Sequence, residues 1–165
     1  MRSLFFALLF ALSTFVLPHT VLAQREKLPD EDLEFVQTTW PRAKKLFTGI
    51  RYLVLDPGEG KPAKEGDLVE VLYSGCLLSE YEKNDGHPIP FDKDLDPKHP
   101  FETRVGRGQV IEGWDEILQV MKPGGRYLVI IPSELGYGSR GQPPFIPRDA
   151  TLVFTMEVLE IKKNQ

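Results

Sequence analysis

Apolar residues at helical spacing mark the centre of the chain, residues 110–132. A stripe at positions i, i+3, i+4 and i+7 is typical of one buried face of a short helix. Its members are Trp114, Ile117, Leu118 and Met121. Pro123 and the glycines after it predict the end of this helix, because proline removes a donor and glycine accepts left-handed dihedral angles. Residues 126–131 then predict a buried strand, rich in β-branched side chains and ended by Pro132.

Further runs predict strands, and the longer ones alternate between apolar and polar residues, as a strand with one buried face does. They are residues 49–55, 67–78, 101–105 and 150–161. In the second run we expect Val69, Val71 and Tyr73 on one face, and Gly75 predicts a bulge or a bend. The alternating face of the last run is formed by Leu152, Phe154, Met156 and Val158. The pattern therefore predicts an α+β fold with about five strands wrapped on one main helix.

Two long segments without a regular pattern interrupt these elements, residues 79–100 and 133–149. Loops of this length inside a small domain are usually functional or mobile. Their large aromatic residues are Phe91, Tyr137 and Phe145. Aromatic residues on long loops predict an apolar cleft. Trp114 has two interpretations, the floor of that cleft or a core residue, and the pattern leaves both open.

Residues 1–23 have the pattern of a cleaved signal peptide. Arg2 supplies a positive start, an apolar stretch follows, and Val21-Leu22-Ala23 resembles a cleavage site. The apolar stretch is shorter than the roughly 20 residues that a membrane span needs, so cleavage is favoured over an uncleaved anchor. We expect export to the periplasm or the extracellular space, or to the secretory lumen in a eukaryote.

Residues 24–48 form a polar extension ahead of the domain. Asp30 predicts the N-cap of a short helix. Leu33, Val36 and Trp40 give that helix a weak apolar stripe. The segment is either a mobile tether or a helix docked on the domain, and the pattern leaves both alternatives open.

Composition narrows the class of protein. The 165 residues suffice for one ordinary domain, and 41% hydrophobic with 27% charged residues is typical of a soluble globular protein. The net charge of -4 argues against nucleic acid or an anionic membrane as the main partner. Cys76 is the single cysteine, which excludes an intramolecular disulfide and a cysteine zinc cluster.

The sequence carries no motif for nucleophilic catalysis and no glycine loop for phosphate. Residues 92–96 read D-x-D-x-D, like the start of a calcium loop, but Pro97 and Thr103 stand where glycine and glutamate are required. A solvated acidic loop is therefore favoured over a calcium site. The remaining candidate for a functional site is a set of aromatic rings around an apolar helix, with a few polar side chains among them. These are Tyr73, Asp92 and Tyr137. Such a set binds an apolar ligand and needs no metal or cofactor.

Five segments, in this order, resemble the FKBP-type peptidyl-prolyl cis-trans isomerases. They are VEVLYSG (69–75), PFDKD (90–94), HPFETRVGRGQVIEGWDEIL (99–118), GYGSRG (136–141) and ATLVFTMEVLEI (150–161). The resemblance implies an FKBP-type domain over residues 49–163. It implies a curved antiparallel sheet of roughly five to six strands wrapped around one short helix. It also implies an enzyme that accelerates the isomerisation of X–Pro bonds.

The same resemblance implies a site. The catalytic residues would be Tyr73, Asp92 and Tyr137. The substrate-binding residues would be Phe91, Phe101, Gln109, Val110, Ile111, Trp114, Phe145, Ile146 and Phe154. Trp114 would lie beneath the proline ring of the substrate. The Ile111 N–H and the Tyr137 hydroxyl would donate to substrate carbonyls, while Asp92 would orient Tyr137.

One departure from the family pattern concerns Asp92. Pro97 stands where many members have an arginine that pairs with this aspartate. A carboxylate in an apolar site without a partner is costly, so we expect the hydroxyls of Tyr137 and Tyr73 to satisfy it. Less favoured partners are Lys93 and Arg104.

Other departures concern the loops. The stretch between Gly75 and Phe91 is longer than usual by about eight residues. Gln142 and Phe145 replace a histidine and an isoleucine, which affects the substrates and inhibitors that fit.

The signal-peptide pattern predicts export, and the resemblance implies an isomerase that acts on folding proteins. The expected partners are proline-containing polypeptides and macrolide inhibitors of the FKBP class, with no nucleic acid and no stable membrane insertion. A monomer is expected, because the extension is too short for a coiled-coil arm. The alternative is a chaperone or protein-binding module on the same fold, with little isomerase activity.

Overall fold

The computed structural model of the protein describes residues 26–84 and 86–164. These residues form a seven-stranded sheet, three α-helices and two 3-10 turns. The helices are α1 (Asp30–Thr39), α2 (Leu78–Lys83) and α3 (Glu112–Ile117). The strands are β1 (Lys44–Lys45), β2 (Arg51–Asp56), β3 (Leu68–Leu77), β4 (Asp92–Asp94), β5 (Phe101–Arg104), β6 (Arg126–Ile131) and β7 (Leu152–Lys162). The 3-10 turns cover Ser133–Leu135 and Gly138–Arg140.

The sheet is antiparallel, in the order β1-β2-β6-β7-β3-β4, and β5 pairs with the first part of β3. The longest pairing joins β3 to β7. The buried residues that alternate along these two strands are Val69, Val71, Tyr73, Leu152, Phe154, Met156 and Val158. Both buried faces were predicted from alternation and are confirmed, as is the α+β class with an antiparallel sheet.

Helix α3 packs on this sheet through its predicted apolar stripe. The stripe residues Trp114, Ile117, Leu118 and Met121 are all buried. The α-helix ends at Ile117, and a turn closed by the Met121 N–H on the Ile117 carbonyl, at 3.1 Å, carries the stripe onward. Gly113 lets the helix approach β6 closely, because a Cβ there would lie 2.5 Å from Cγ2 of Ile131.

Gly75 has a different role from the predicted bulge or bend. It pairs in regular register with Phe154 on one side and Asp92 on the other. The register shift of β3 against β7 lies instead between Glu70 and Val71. A Cβ at position 75 would lie 2.4 Å from Cε1 of Phe154, so the glycine makes room for that ring.

The loop at residues 79–100 was predicted to be irregular, and this prediction is wrong in two places. Helix α2 begins at Leu78, directly after β3, and β4 spans Asp92–Asp94. Neither element left a hydrophobic pattern, because α2 buries only Leu78 and β4 has no buried residue.

The extension is docked, not a free tether, over the part that the structure describes. Helix α1 packs on the face of the sheet opposite α3 and completes a second apolar cluster. The buried members of this cluster are Leu28, Val36, Cys76, Leu78, Leu128, Ile130 and Val153. The predicted cap is wrong: Pro29 occupies the N-cap position, Asp30 is the first helical residue, and no side chain caps the helix.

The predicted signal peptide, residues 1–23, and its cleavage site after Ala23 lie outside the described residues. Within the described residues, the helices are too short or too polar to cross a membrane.

Candidate active site

A cavity of about 520 Å³ opens between helix α3, the sheet and the two long loops. Its lining residues are Tyr73, Phe91, Asp92, Phe101, Gln109, Val110, Ile111, Trp114, Tyr137 and Phe154. All ten are residues that the resemblance implies for the site, and the fold brings them together from both loops, four strands, helix α3 and the segment before it. Phe145 and Ile146 lie outside this lining.

The indole of Trp114 forms the base of the cavity. It belongs to the main core cluster and is 4% exposed, yet it also lines the cavity, so both interpretations of Trp114 hold. Rings of neighbouring residues meet it edge to face, at interplanar angles of 82° to 90°. Their centroids lie 4.8 Å away for Tyr73, 5.3 Å for Phe154 and 5.8 Å for Phe101. This geometry is favourable for aromatic pairs and encloses a space lined by ring surfaces.

The indole N–H of Trp114 is buried and has no hydrogen-bond partner among the described residues. A buried donor without a partner costs free energy, and this nitrogen has almost no accessible surface, so the indole supplies the cavity with ring surface and not with a hydrogen bond.

The walls are set by the register of the sheet. Tyr73 on β3 and Phe154 on β7 point to the same face, because both positions belong to the alternating buried sets. Phe91 meets Phe154 edge to face at 5.8 Å, directly above Gly75. The Phe91 N–H donates to the Gly75 carbonyl at 2.9 Å, which fixes the long loop where it enters the cavity.

The polar part of the cavity is a pair of phenols beside one carboxylate. The Tyr73 hydroxyl donates to Oδ2 of Asp92 at 2.8 Å. Burial raises the pKa of Tyr73 well above its usual range, and the Asp92 hydrogen bond and charge raise it further. Burial, and then the Asp92 charge, also raise the pKa of Tyr137. Both phenols therefore remain O–H donors at neutral pH.

Asp92 has one of its two expected tyrosine partners. Among the described residues, Tyr137 makes no hydrogen bond to Asp92, so its hydroxyl is available to a ligand. The less favoured cationic partners are not used either within the described part of the chain. Arg104 donates to the Gly66 carbonyl at 3.2 Å, and Lys93 forms no ion pair with Asp92.

The segment before α3 is held by the side chains of Asp115, which was not among the predicted site residues, and Gln109, which was predicted for its backbone carbonyl. The Asp115 carboxylate accepts the N–H groups of Gly106 at 2.8 Å and Gly108 at 3.0 Å. The side-chain oxygen of Gln109 accepts the Arg104 N–H at 2.8 Å. The signal was present, because an acidic residue in the first turn of a helix commonly accepts from nearby backbone donors.

These bonds shape the turn that leads into the cavity. The backbone N–H of Ile111 has no acceptor among the described residues and lies at the cavity. It is therefore a second donor available to a ligand, besides the Tyr137 hydroxyl.

A neighbouring cavity of about 460 Å³ shares Phe91, Asp92 and Tyr137 with the first. Its other lining residues are Gln142, Phe145 and Ile146. Phe145 is 68% exposed, while Ile146 is buried and belongs to the core cluster. The two remaining residues of the expected site thus lie beside the main cavity, where they can contact what extends from it.

The chemistry available in the main cavity is non-covalent. Its lining contains aromatic and aliphatic surface, one carboxylate, and phenol and backbone donors, without serine, cysteine or histidine. Among residues 26–84 and 86–164, no group of three His, Cys, Asp or Glu side chains is placed to hold a metal ion. The arrangement can enclose an apolar ring and bind carbonyl groups on either side of it.

Comparison with known proteins gives consistent results. A family model for FKBP-type peptidyl-prolyl cis-trans isomerases matches residues 59–159. The mouse (Mus musculus) protein named peptidyl-prolyl cis-trans isomerase FKBP2 is 45% identical over 102 residues, which cover 62% of this chain and 67% of the mouse protein. A protein of Neisseria meningitidis named FK506-binding protein is 42% identical over 107 residues, covering 65% of this chain and 91% of that protein.

Among solved structures, this chain is similar to that of FkpA from Escherichia coli. The TM-score is 0.66 at 35% sequence identity. The match covers 80% of this chain and 58% of the FkpA chain.

Proposed function

The chain belongs to the FKBP-type peptidyl-prolyl cis-trans isomerases and is an enzyme of that class, and we propose that it isomerises X–Pro bonds of folding proteins in the cavity above Trp114. The observation that carries this proposal is the convergence of aromatic rings on the Trp114 indole, beside the Ile111 N–H and the Tyr137 O–H, which have no acceptor in the described part of the chain. A proline ring fits the apolar space, and its flanking carbonyls match the donors.

The proposed mechanism requires no covalent step. An X–Pro bond isomerises slowly because twisting the amide breaks its resonance, at a cost of about 18–20 kcal/mol. The twisted amide has a pyramidal nitrogen and a less polar carbonyl, so a dry aromatic cavity favours it over the planar form that water stabilises. A thousandfold acceleration requires about 4 kcal/mol of selective stabilisation. Shape and exclusion of water can supply this amount.

We assign a role to each polar group of the cavity: the two donors bind carbonyl groups of the substrate, and the Asp92 carboxylate acts electrostatically. The Ile111 N–H and the Tyr137 O–H bind substrate carbonyls and hold the prolyl residue against Trp114. Asp92, oriented by the Tyr73 hydroxyl at 2.8 Å, faces the amide from the edge of the cavity. The charge of Asp92 adds a smaller, electrostatic contribution to the stabilisation that the shape of the cavity supplies.

The proposed substrates are proline-containing polypeptides with an apolar residue before the proline. The exposed ring of Phe145 in the neighbouring cavity supports this preference, because it offers apolar surface beside the prolyl position. Macrolides of the FK506 class are proposed as competitive inhibitors, since similar proteins carry the name FK506-binding protein.

An isomerisation assay on an X–Pro peptide tests the proposal. Wild-type protein should accelerate the reaction and FK506 should block it. Phe154→Leu should lose most of the activity, because it opens the wall beside Trp114. Tyr127→Leu is the matched control: it also truncates a buried aromatic of the same sheet, but one that does not line the cavity.

Equal losses in the two variants would mean that fold stability, not the cavity wall, explains the effect. A folded wild-type protein that leaves the peptide at its uncatalysed rate would overturn the proposed function. It would favour the alternative of a protein-binding module with little isomerase activity.

We also propose that the protein is exported, cleaved after Ala23 and monomeric. The positive start, the short apolar stretch and the Val-Leu-Ala ending support cleavage. Mass spectrometry of the exported protein should give a chain that begins at Gln24, and light scattering should give the mass of one chain. An intact Met1 in a membrane fraction would contradict the proposed export and cleavage.

A further inference from the structure

The loop that carries Tyr137 is contacted at both ends by a single N-terminal segment. We define this segment, residues 26–40, as the N-terminal brace; it consists of helix α1, the residues before it and Trp40 directly after it. The brace precedes residues 59–159, the part of the chain that matches the family model. Its contacts with the Tyr137 loop therefore add to the shared domain.

The first contact is at the far end of the loop. The Thr151 hydroxyl donates to Oδ2 of Asp32 at 2.5 Å. Thr151 is 4% exposed, so this charge-assisted bond is shielded from water on the threonine side. The Thr151 carbonyl also accepts the Leu78 N–H at 3.0 Å, which joins the loop end to helix α2.

The second contact is at the near end of the loop. Lys27 forms an ion pair with Glu134 at 3.3 Å, in the 3-10 turn just before Tyr137. Both side chains are partly exposed, so this ion pair alone is weak. Together with the Asp32 bond, however, it joins both ends of the loop to one rigid element.

The backbone carries the restraint from Thr151 to Tyr137. Asp149, two residues before Thr151, donates its N–H to the Gly138 carbonyl at 3.0 Å. Gly138 follows Tyr137 directly, and the Gly141 N–H closes a turn on the Tyr137 carbonyl at 3.1 Å. Asp149 adopts a left-handed φ of 55°, which is uncommon for a residue other than glycine, although aspartate enters this region more readily than most residues.

The brace is itself firmly held. Val36 and Leu28 are buried in the second apolar cluster. The Trp40 ring, directly after α1, meets Tyr81 of α2 edge to face at 5.2 Å. Glu26 accepts both guanidinium nitrogens of Arg51, at 2.9 and 2.6 Å, and this bond holds the pKa of Glu26 well below its usual range.

We propose that the N-terminal brace positions the Tyr137 hydroxyl for the reaction, with Asp32 as the principal positioning residue. This inference rests on the proposed role of the main cavity. Loops open locally more readily than sheet strands, and a misplaced donor binds the substrate carbonyl less well. Fixing both ends of the loop reduces the ordering that substrate binding must otherwise impose.

Two variant pairs in the full chain test the inference. Asp32→Asn weakens the charge-assisted bond, and Asp30→Asn is its control, because Asp30 lies in the same helical turn with an exposed side chain that makes no hydrogen bond among the described residues. Thr151→Val removes the donor at nearly constant volume, and Thr151→Ser restores it.

Asp32→Asn and Thr151→Val should each lower kcat/KM by about fivefold, mainly through KM, the scale expected for one lost hydrogen bond. Both should also speed amide hydrogen exchange in residues 133–149. Asp30→Asn and Thr151→Ser should match wild type in both measurements. The assay is run well below the melting temperature, with circular dichroism to confirm the fold.

Wild-type kcat/KM in folded Asp32→Asn and Thr151→Val would overturn the inference and leave the brace a purely stabilising element. Should Asp32→Asn fail to fold, the Thr151 pair decides. A wild-type protein without isomerase activity would instead refute the proposed function. The exchange measurement would then decide alone whether the brace restrains the loop, and unchanged exchange in both variants would overturn it.

Discussion

Tyr73 joins the apolar and the polar parts of the cavity in one side chain. Its ring meets Trp114 at 4.8 Å, and its hydroxyl donates to Asp92 at 2.8 Å. Because burial and the nearby carboxylate raise its pKa, the phenol stays protonated across the whole neutral range. The bond therefore orients Asp92 without competing for a proton, and its loss leaves the carboxylate without its partner.

A double-mutant cycle on kcat/KM measures this coupling. Tyr73→Phe and Asp92→Ala should each cost on the order of tenfold, equivalent to about 1.4 kcal/mol. The double variant should cost clearly less than the sum, because both changes disable one hydrogen-bonded unit.

A second cycle provides the control. Tyr137→Phe combined with Asp92→Ala should be closer to additive, because no hydrogen bond joins these residues among those described. Additive losses in the Tyr73 cycle would contradict the assigned role of Tyr73.

At the scale of elements, the short helix α3 depends on the turn that precedes it. Asp115 accepts two backbone N–H groups of residues 106–108 and thereby ties that turn to the helix. The same turn leads into Val110 and Ile111, which line the cavity. One acidic side chain in the helix thus shapes the backbone that offers the Ile111 donor.

Asp115→Ala should raise KM several-fold with a smaller change in kcat, because the Ile111 donor becomes less ordered before substrate binds. Steady-state kinetics on an X–Pro peptide measures the split. Glu116→Ala is the matched control, as the neighbouring half-buried acidic residue makes no hydrogen bond with its side chain among the described residues. Equal KM values in both variants would show that the turn is held by other contacts.

At the scale of the whole molecule, one carboxylate joins the start of the central strand to the end of the chain. Asp67 accepts the N–H groups of Lys64 and Asn164 and the Lys163 ammonium, each at 2.9 Å. The Lys163 hydrogen bond, followed by the two backbone bonds, lowers the pKa of Asp67 to about 2. Since β3 pairs with β7 over its whole length, this contact closes the longest pairing of the sheet.

The depressed pKa predicts acid sensitivity. A carboxyl group with a lower pKa when folded stabilises the protein above its unfolded pKa of about 3.9, and this stability is lost as the pH falls towards 2. Asp67→Asn should therefore be less stable than wild type at pH 7. Its free energy of unfolding, measured with urea between pH 5 and pH 2, should fall by less than that of wild type.

Glu65→Gln serves as the control, because that neighbouring side chain is exposed. Glu26 also has a depressed pKa, so part of the acid loss should persist in Asp67→Asn. Parallel curves for Asp67→Asn and wild type would exclude Asp67 as a source of acid sensitivity.

The local sequence pattern was sufficient to predict the elements in which buried residues recur at a regular spacing. Residues 126–131 were predicted with both ends correct, because the Pro-Gly-Gly turn and Pro132 enclose a run whose last five residues are all buried. The buried faces of β3 and β7 were predicted from alternation, because the spacing of apolar residues indicates which side of an element is buried. The cavity residues were predicted because the motifs that contain them resemble those of a known family.

Tertiary structure decided every feature that depends on a distant partner. Tyr73 and Asp92 are 19 positions apart, and Asp32 and Thr151 are 119 apart, so no local pattern could pair them. The role of Gly75 depends on the Phe154 ring from another strand, and the docking of α1 depends on apolar residues that β3, β6 and β7 expose on their far side. A hydrophobic pattern shows that one face of an element is buried. Which residues cover that face depends on strand register and on which other elements can pack there.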